Sequence, residues 1–422
     1  MSTTLHHLWQ SALNFVFYYP LFMSYLWMVG ALIFYRKERK EPPYQEPKAL
    51  EYYPKVAVLI PCYNESDNAE ETISHALQLD YPNFEVIAIN DGSSDNTAEV
   101  LDRLAEKYEH LRVVHLAQNQ GKAVALQAGS LLTDAEFLIG IDGDALLDAY
   151  AAKWMIRHFL EDPTVAAVTG NPRIRTRSTL LGRIQVGEFS SIVGMIKRAQ
   201  RSFGRLFTVS GVITAFRKTA VHEVGYWSPN MLTEDIDITW KLQRAGWDIR
   251  FEPNALVWIL MPETLKGLWK QRLRWAMGGA QVLIKNIDVF LKPKLNYLWP
   301  LMIELCLTLV WSYLMLVLAI LWIVHFIWPL GSLTGISSPF LPYGSGILLG
   351  ATCLIQFALS KWMDSRYEPN LGKNYYWMIW YPFVFWLITI TATIIAFPKV
   401  VFRGEEKRAR WVSPDRGMRN KL

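Results

Sequence analysis

Apolar and polar positions divide the chain into three stretches with different periodicities. Residues 8–35 contain no Asp, Glu, Lys or Arg, and a run of that kind is long enough to span a bilayer. A secretory leader would be shorter and would open with basic residues, so this run is expected to stay as an anchor. Three further segments qualify as spans on length and apolarity, at 299–328, 343–360 and 375–397. A buried soluble helix is a poor account of them, because Trp and Tyr gather near the segment ends as they do at membrane interfaces.

Between the first apolar run and the others the period changes. Five short β-rich runs, 55–63, 84–91, 111–117, 136–142 and 165–170, alternate with segments of helical spacing at 68–79, 96–108, 122–132 and 150–162. This βαβα order predicts an α/β fold, a mostly parallel sheet with flanking helices. Ligands of such sheets sit beyond the carboxyl ends of the strands. The polar clusters fall there: Asn64-Glu65, Asp91-Gly92 and Asp142-Gly143-Asp144. No Gly-Lys-Ser phosphate loop and no GxGxxG follows any of these strands, which argues against an NTPase or a dehydrogenase. The proline-rich stretch 41–54 reads as a linker.

Charge refines this picture only at the edges. There are 43 Lys+Arg against 38 Asp+Glu, too small an excess to call for a nucleic-acid partner. The three cysteines match no metal-ligand spacing and no disulfide framework. The basic cluster "RKERK" at 36–40 places residues 41–298 in the cytoplasm by the positive-inside rule. Three more full crossings would then leave the basic tail 399–411 on the opposite side, against the same rule. Either one late segment is re-entrant or interfacial, or the tail is an exception.

Three clusters can carry chemistry. In "EFLIGIDGDALLD" (136–148) Asp142 and Asp144 share one side of an extended chain, so their charges need a partner. A hard cation completed by phosphate oxygens is one candidate; capping of the helix near Tyr150 is the other, and it suits Asp148 better than Asp142. In "NMLTEDIDITWKLQRAGW" (230–247) Thr233 is a good N-cap and Glu234 and Asp235 occupy the first turn. They either complement the helix dipole, or Asp235 serves as a general base toward a hydroxyl. In "LWKQRLRWAMGGAQ" (268–281) Gln271, Arg272, Arg274 and Trp275 suit a diphosphate and a sugar ring. The same residues also suit an interfacial helix dipping Leu268, Trp269, Leu273 and Trp275 into lipid. Weaker candidates are Gly121 and Lys122 at a helix start, which suit nucleotide contact and equally a solvated turn, and Gly211, where a backbone could approach a sugar. The basic stretch 171–183 reads as a surface or partner-facing segment rather than a catalytic one.

In order along the chain, "PCYNE" (61–65), "NDGSSDNT" (90–97), "IDGD" (141–144), "TED" (233–235) and "QRLRW" (271–275) resemble the processive family 2 glycosyltransferases, the group of cellulose, chitin and hyaluronan synthases. The resemblance implies a GT-A fold inserted between transmembrane helices and an inverting transfer dependent on a divalent metal, Mg2+ or Mn2+. By position, Asp91, Lys122 and Asp142 would serve the donor nucleotide, and Asp144 the metal. Asp235 would be the catalytic base; Gln271, Arg274, Trp275 and Gly211 would hold the diphosphate and acceptor. It also implies an organisation into a transmembrane segment 1–35, linker 36–54, cytoplasmic catalytic domain 55–267, interfacial helices 268–298, transmembrane segments 299–398 and basic tail 399–422.

Within that family, 169–201, 258–276 and "RARWVSPDRG" (408–417) are similar to the bacterial synthases of poly-β-1,6-N-acetylglucosamine. This implies UDP-GlcNAc as donor, a growing glucosaminan as acceptor and a biofilm polymer as product. It further implies residence in the bilayer of the bacterial inner membrane. A small membrane partner of the PgaD type is expected, with cyclic di-GMP activation through the complex. Hyaluronan, chitin or cellulose products are the nearer alternatives, and a non-catalytic membrane scaffold the more distant one.

Overall fold

The computed structural model describes residues 3–41, 46–328, 345–402 and 408–410; part of the 41–54 linker and the end of the "RARWVSPDRG" motif therefore lie outside the described residues. Helix α1 (Thr3–Glu38) is the long N-terminal apolar helix. The five sequence-predicted strands all form, as β1 (Val56–Cys62), β2 (Phe84–Asp91), β3 (Leu111–Leu116), β4 (Phe137–Ile141) and β6 (Val165–Ile174). The four intervening helices form as well: α2 (Ala69–Ala76), α3 (Thr97–Lys107), α4 (Lys122–Leu131) and α5 (Ala151–Glu161).

Three strands escape the periodicity reading: β5 (Leu146–Leu147), β7 (Ile213–Arg217) and β8 (Asp248–Ile259). With them the sheet has eight strands in the order β3-β2-β1-β4-β7-β6-β8-β5. The half from β3 to β4 is parallel; β7 runs antiparallel to both its neighbours, and β6 and β8 are parallel.

Alternation along β1 explains the layers. Val56, Val58, Ile60 and Cys62 point into one core with Ile73, Leu101, Trp154 and Phe159, and Ala57 and Leu59 point into the other with Leu126, Ile238 and Leu242. A strand buried on both faces reads as a continuous apolar run, which is why it was legible. Each such buried side chain contributes about 1.5–3 kcal/mol. The carboxyl ends of β1, β2 and β4 deliver Cys62, Asp91 and Ile141 to one edge, the crevice expected for a ligand.

The rest of the chain ties this domain to the apolar helices. Helix α6 (Leu180–Phe189) continues through a π-helical turn at Ser190–Met195 into α7 (Ile196–Ser202), and α8 (Lys218–Glu223) and α9 (Glu234–Arg244) follow. Helix α10 (Leu265–Lys285) carries the QRLRW motif. Of the late helices, α11 (Trp299–Ile327), α12 (Ser345–Asp364) and α13 (Tyr381–Val401), all three are apolar and long enough to cross a membrane, as is α1.

Buried charge fixes where two of these helices end. Arg198 of α7 binds Glu38 at the end of α1 at 2.6 Å and Asp364 at the end of α12 at 2.8 Å. Arg173 of β6 binds Asp364 at 2.6 Å and Glu368 at 3.0 Å. Within the basic stretch 171–183 Arg173 departs from the surface expectation and is fully buried, because its acidic partners arrive from the far end of the chain, while Arg175, Arg177 and Arg183 stay partly exposed. Helix α13 begins and ends against the sheet domain and the helices that follow it. The Tyr381 hydroxyl donates to Glu188 at 3.2 Å, the helix runs along α10, and Phe397 joins the cluster of Trp240, Val282 and Met302. Beyond it, the Ala409 N–H donates to the Pro229 carbonyl at 2.8 Å.

Candidate active site

A cavity of about 1340 Å³ opens at the carboxyl edge of the sheet and reaches the start of α11. Its lining includes Lys122, Asp142, Asp144, Gly211, Asp235, Gln271, Arg274 and Trp275. Eight of the nine residues expected to serve the site are thus gathered around one space. The ninth, Asp91, stands behind it. Its buried carboxylate accepts from the main-chain N–H groups of Gln120 at 2.7 Å and Gly121 at 2.8 Å. Burial pushes its carboxyl up, and those two hydrogen bonds oppose the push. Asp91 therefore shapes the 118–121 loop from which α4 starts.

The close pair at the end of β4 has a partner in the chain itself. Lys122, at the first position of α4, forms an ion pair with Asp142 and a second with Glu234 at 3.2 Å. It also donates to the carbonyl of Gly211 at 2.9 Å. Burial pulls its ammonium down, but Asp142, Glu234 and Asp235 outweigh burial and hold it above its ordinary value. Asp144 is buried, and its carboxyl is pushed up to about 7 by burial and then by the Asp142 charge. Asp148 takes the capping role: its carboxylate accepts from the Tyr150 N–H at 3.0 Å.

Asp235 lies in the first turn of α9 and is open to the cavity. Its Oδ1 accepts from the Ile236 N–H at 2.9 Å and its Oδ2 from the Gly211 N–H at 3.2 Å. Burial, followed by the neighbouring Glu234, raises its carboxyl to about 6, while Lys122 and Arg274 oppose the rise. That value suits a group that must be ionised at neutral pH yet accept a proton readily. Thr233 does not cap this helix with its side chain, contrary to expectation. Among the described residues its buried hydroxyl has no hydrogen-bond partner, and it lies hard against Gly278 of α10, where a Cβ would clash with it. Close approach of α10 to α9 displaced the cap.

The QRLRW residues divide between two jobs. Arg272 is buried and ion-paired with Glu188, and its guanidinium stacks over Trp275 at 4.4 Å. Arg274 and Gln271 face the cavity, where, among the described residues, the hydrogen bond Arg274 makes is a long one to the Leu232 carbonyl at 3.5 Å. Leu268 is fully buried among Ile184, Phe357, Met378 and Phe385, and Trp275 packs on the sheet core. Both are therefore packed within the protein, Leu268 against side chains of α12 and α13.

Residues 54–278 match the family described as glycosyltransferase like family 2. The chain belongs to glycosyltransferase family 2. Among curated relatives of this glycosyltransferase are proteins named poly-beta-1,6-N-acetyl-D-glucosamine synthase. One, from Staphylococcus epidermidis, is 40% identical over 409 residues, covering 96% of this chain and 98% of the relative. Another, from Staphylococcus aureus, is 42% identical over 406 residues with the same coverages. Among solved structures, a mannosyltransferase from Pyrobaculum calidifontis, described in complex with GDP-Man and Mn2+, superposes with a TM-score of 0.59 at 20% identity. It covers 92% of this chain and all of that one. The fold of this family 2 glycosyltransferase is accordingly GT-A-like.

Sequence reasoning missed other parts of the glycosyltransferase cavity. Its place in the first turn of α9 suggests only a helix-dipole role for Glu234, yet it shares Lys122. Composition marks the tail only as a basic extension, yet Ala409 and Arg410 line the cavity, and Arg408 donates to the Gln120 side chain. Gly121 has φ +91 and faces the Ala409 carbonyl, which a Cβ would meet at 2.2 Å, so only glycine fits. Lys197, also in the lining, gave no signal in a segment of helical composition.

Proposed function

We propose that this protein is a processive, inverting synthase that builds poly-β-1,6-N-acetylglucosamine from UDP-GlcNAc and feeds it into the bacterial inner membrane for export as biofilm matrix. The observation that carries this reading is Asp235, open to a cavity that also holds Asp142, Asp144, Arg274 and Trp275, in a chain 40–42% identical to poly-N-acetylglucosamine synthases over nearly its whole length.

In the proposed step the acceptor's O6–H gives its proton to Asp235 as the bond from O6 to the anomeric carbon forms. The bond from that carbon to the diphosphate breaks, and UDP leaves. Arg274 is placed to take charge on the departing diphosphate, and the Trp275 ring to bound the acceptor. A divalent cation, Mg2+ or Mn2+, would be held at Asp144 with Asp142 beside it, and when bound it supplies charge neutralisation for the leaving group. The donor set fits such a cation, since Asp144 is a buried carboxyl facing the cavity beside a second acid.

The reading includes a topology. Helix α12 ends on domain arginines and residue 409 touches Pro229, so the tail shares the domain's side, the cytoplasm. Helices α11 and α12 then cross as a pair, and α13 lies along α10. Exposed apolar side chains on α1 and α11, such as Phe22, Val29, Ile303 and Val310, offer surface to lipid. They would also serve a small membrane partner of the PgaD type, through which a cyclic di-GMP response would act. Purified protein supplied with labelled UDP-GlcNAc should make a polymer degraded by a β-1,6-glucosaminidase. A polymer resistant to that enzyme would overturn the linkage assigned here.

A further inference from the structure

Part of the cavity wall is built from the α6–α7 run. Phe189, Ile192, Val193 and Ile196 supply an apolar surface, and one charged group, Lys197, interrupts it. The π-helical turn at Ser190–Met195 directly precedes Lys197. Such turns add a residue per repeat and shift the face presented by the helix after them, and they recur at functional sites.

Lys197 is only 5% exposed, and a buried ammonium normally has its donors satisfied. Here its sole hydrogen bond among the described residues is to the Thr169 hydroxyl, at 3.4 Å. That hydroxyl oxygen is already occupied, accepting from the Ser210 N–H at 2.8 Å. No carboxylate among the described residues forms an ion pair with Lys197, in contrast to Lys122. Burial pulls the Lys197 ammonium down to about 7, against the pull of Asp235.

The connection to Asp235 runs through two consecutive residues. The N–H of Ser210 points to Thr169, beneath Lys197, and the N–H of Gly211 points to Asp235. The carbonyl of Gly211 faces the other way, to Lys122 and the donor acids. Asp235 is the carboxylate that acts on the Lys197 ammonium, whereas Asp142 and Glu234 pair with Lys122, so Lys197 is the cation associated with the base, where the attacking sugar must sit. An apolar wall with a single ammonium matches the terminal sugar of the chain, which has one apolar face and an edge of hydroxyl and acetamido oxygens.

We propose that Lys197 is an acceptor-binding residue, whose ammonium donates hydrogen bonds to hydroxyl or acetamido oxygens of the terminal sugar and sets its reactive hydroxyl against Asp235. This rests on the glycosyl-transfer reading above. The test uses full-length protein, UDP-GlcNAc and a short β-1,6-linked N-acetylglucosamine oligosaccharide, with KM measured separately for donor and acceptor. Lys197→Met keeps the length and apolar stem, and should raise the acceptor KM roughly ten- to hundredfold, as losing a charge-assisted hydrogen bond does. Donor KM and UDP affinity should stay within about twofold of wild type on the same scale. Lys197→Arg should recover most of the loss. Lys197→Gln reads the same quantity if the methionine variant does not accumulate.

A methionine or glutamine variant with wild-type acceptor KM overturns the proposal. So does a loss that falls equally on donor and acceptor and that arginine does not repair, since that marks a packing role. Failure of the wild-type protein to extend the oligosaccharide overturns the glycosyl-transfer reading itself, and the two failures are therefore distinguishable.

Discussion

The main-chain N–H of Gly211 donates to Oδ2 of Asp235 at 3.2 Å, and a Cβ on Gly211 would stand 3.1 Å from that same oxygen. The glycine thus orients the proposed base and leaves room for it. In Gly211→Ala the carboxylate must yield by a few tenths of an ångström. Misplacement on this scale costs up to about a hundredfold in rate, so kcat should fall by roughly ten- to a hundredfold. UDP affinity, measured by calorimetry, should hold. Unchanged kcat would mean that the carboxylate is not held by this contact.

The two arginines of "QRLRW" should fail differently. Arg272 and Glu188 form a pair with 5% and 1% of their side chains exposed, and removing one partner of such a pair costs about 3–5 kcal/mol. Arg272→Ala should therefore lower the thermal midpoint sharply. Arg274→Ala should leave the midpoint in place and reduce turnover about tenfold or more, as loss of a charge-stabilising group does. Thermal melts beside UDP-release rates on both variants decide it.

These contrasts mark where the sequence was informative. Parallel strands β1, β2 and β4 announce themselves as apolar runs, and the acids at their ends follow directly. Strand β7 is short and antiparallel, and its turn at Gly211 was read only as a place of close approach. The repulsion between Asp142 and Asp144 was visible, but its relief by Lys122 depends on a contact between residues twenty apart in the chain. Arg173 looked like a surface residue because its partner Asp364 lies 191 positions away. Arg272 and Arg274 are indistinguishable by composition; only the packing of α10 on α6 and α13 tells them apart.

Because Asp142 is already occupied by Lys122, a cation at Asp144 should need phosphate oxygens to complete its shell. Calorimetry should find Mn2+ binding weak in the empty protein and at least about tenfold tighter with UDP present, by the linkage between two ligands sharing a site. Asp144→Asn should remove that enhancement. Tight binding to the empty protein would contradict this arrangement.

The seat of Ala409 on Pro229 gives the topology a direct readout. In intact cells, Ala409→Cys should resist a membrane-impermeant thiol reagent and react once the cells are opened. Labelling in intact cells would put the tail outside and remove the contact.

The most direct measurement of the account is polymer synthesis from labelled UDP-GlcNAc by wild type and Asp235→Asn, across pH. As the proposed base Asp235 would work ionised, and burial and Glu234 raise its carboxyl to about 6. Wild-type kcat should therefore rise as pH increases through about 6 and level above it, since protonated enzyme has no base. The Asn variant should bind UDP normally and fall by about a hundred- to ten-thousandfold, the contribution of a general base. Wild-type polymer levels from Asp235→Asn, in protein of normal amount, would contradict the assignment of Asp235 as the base.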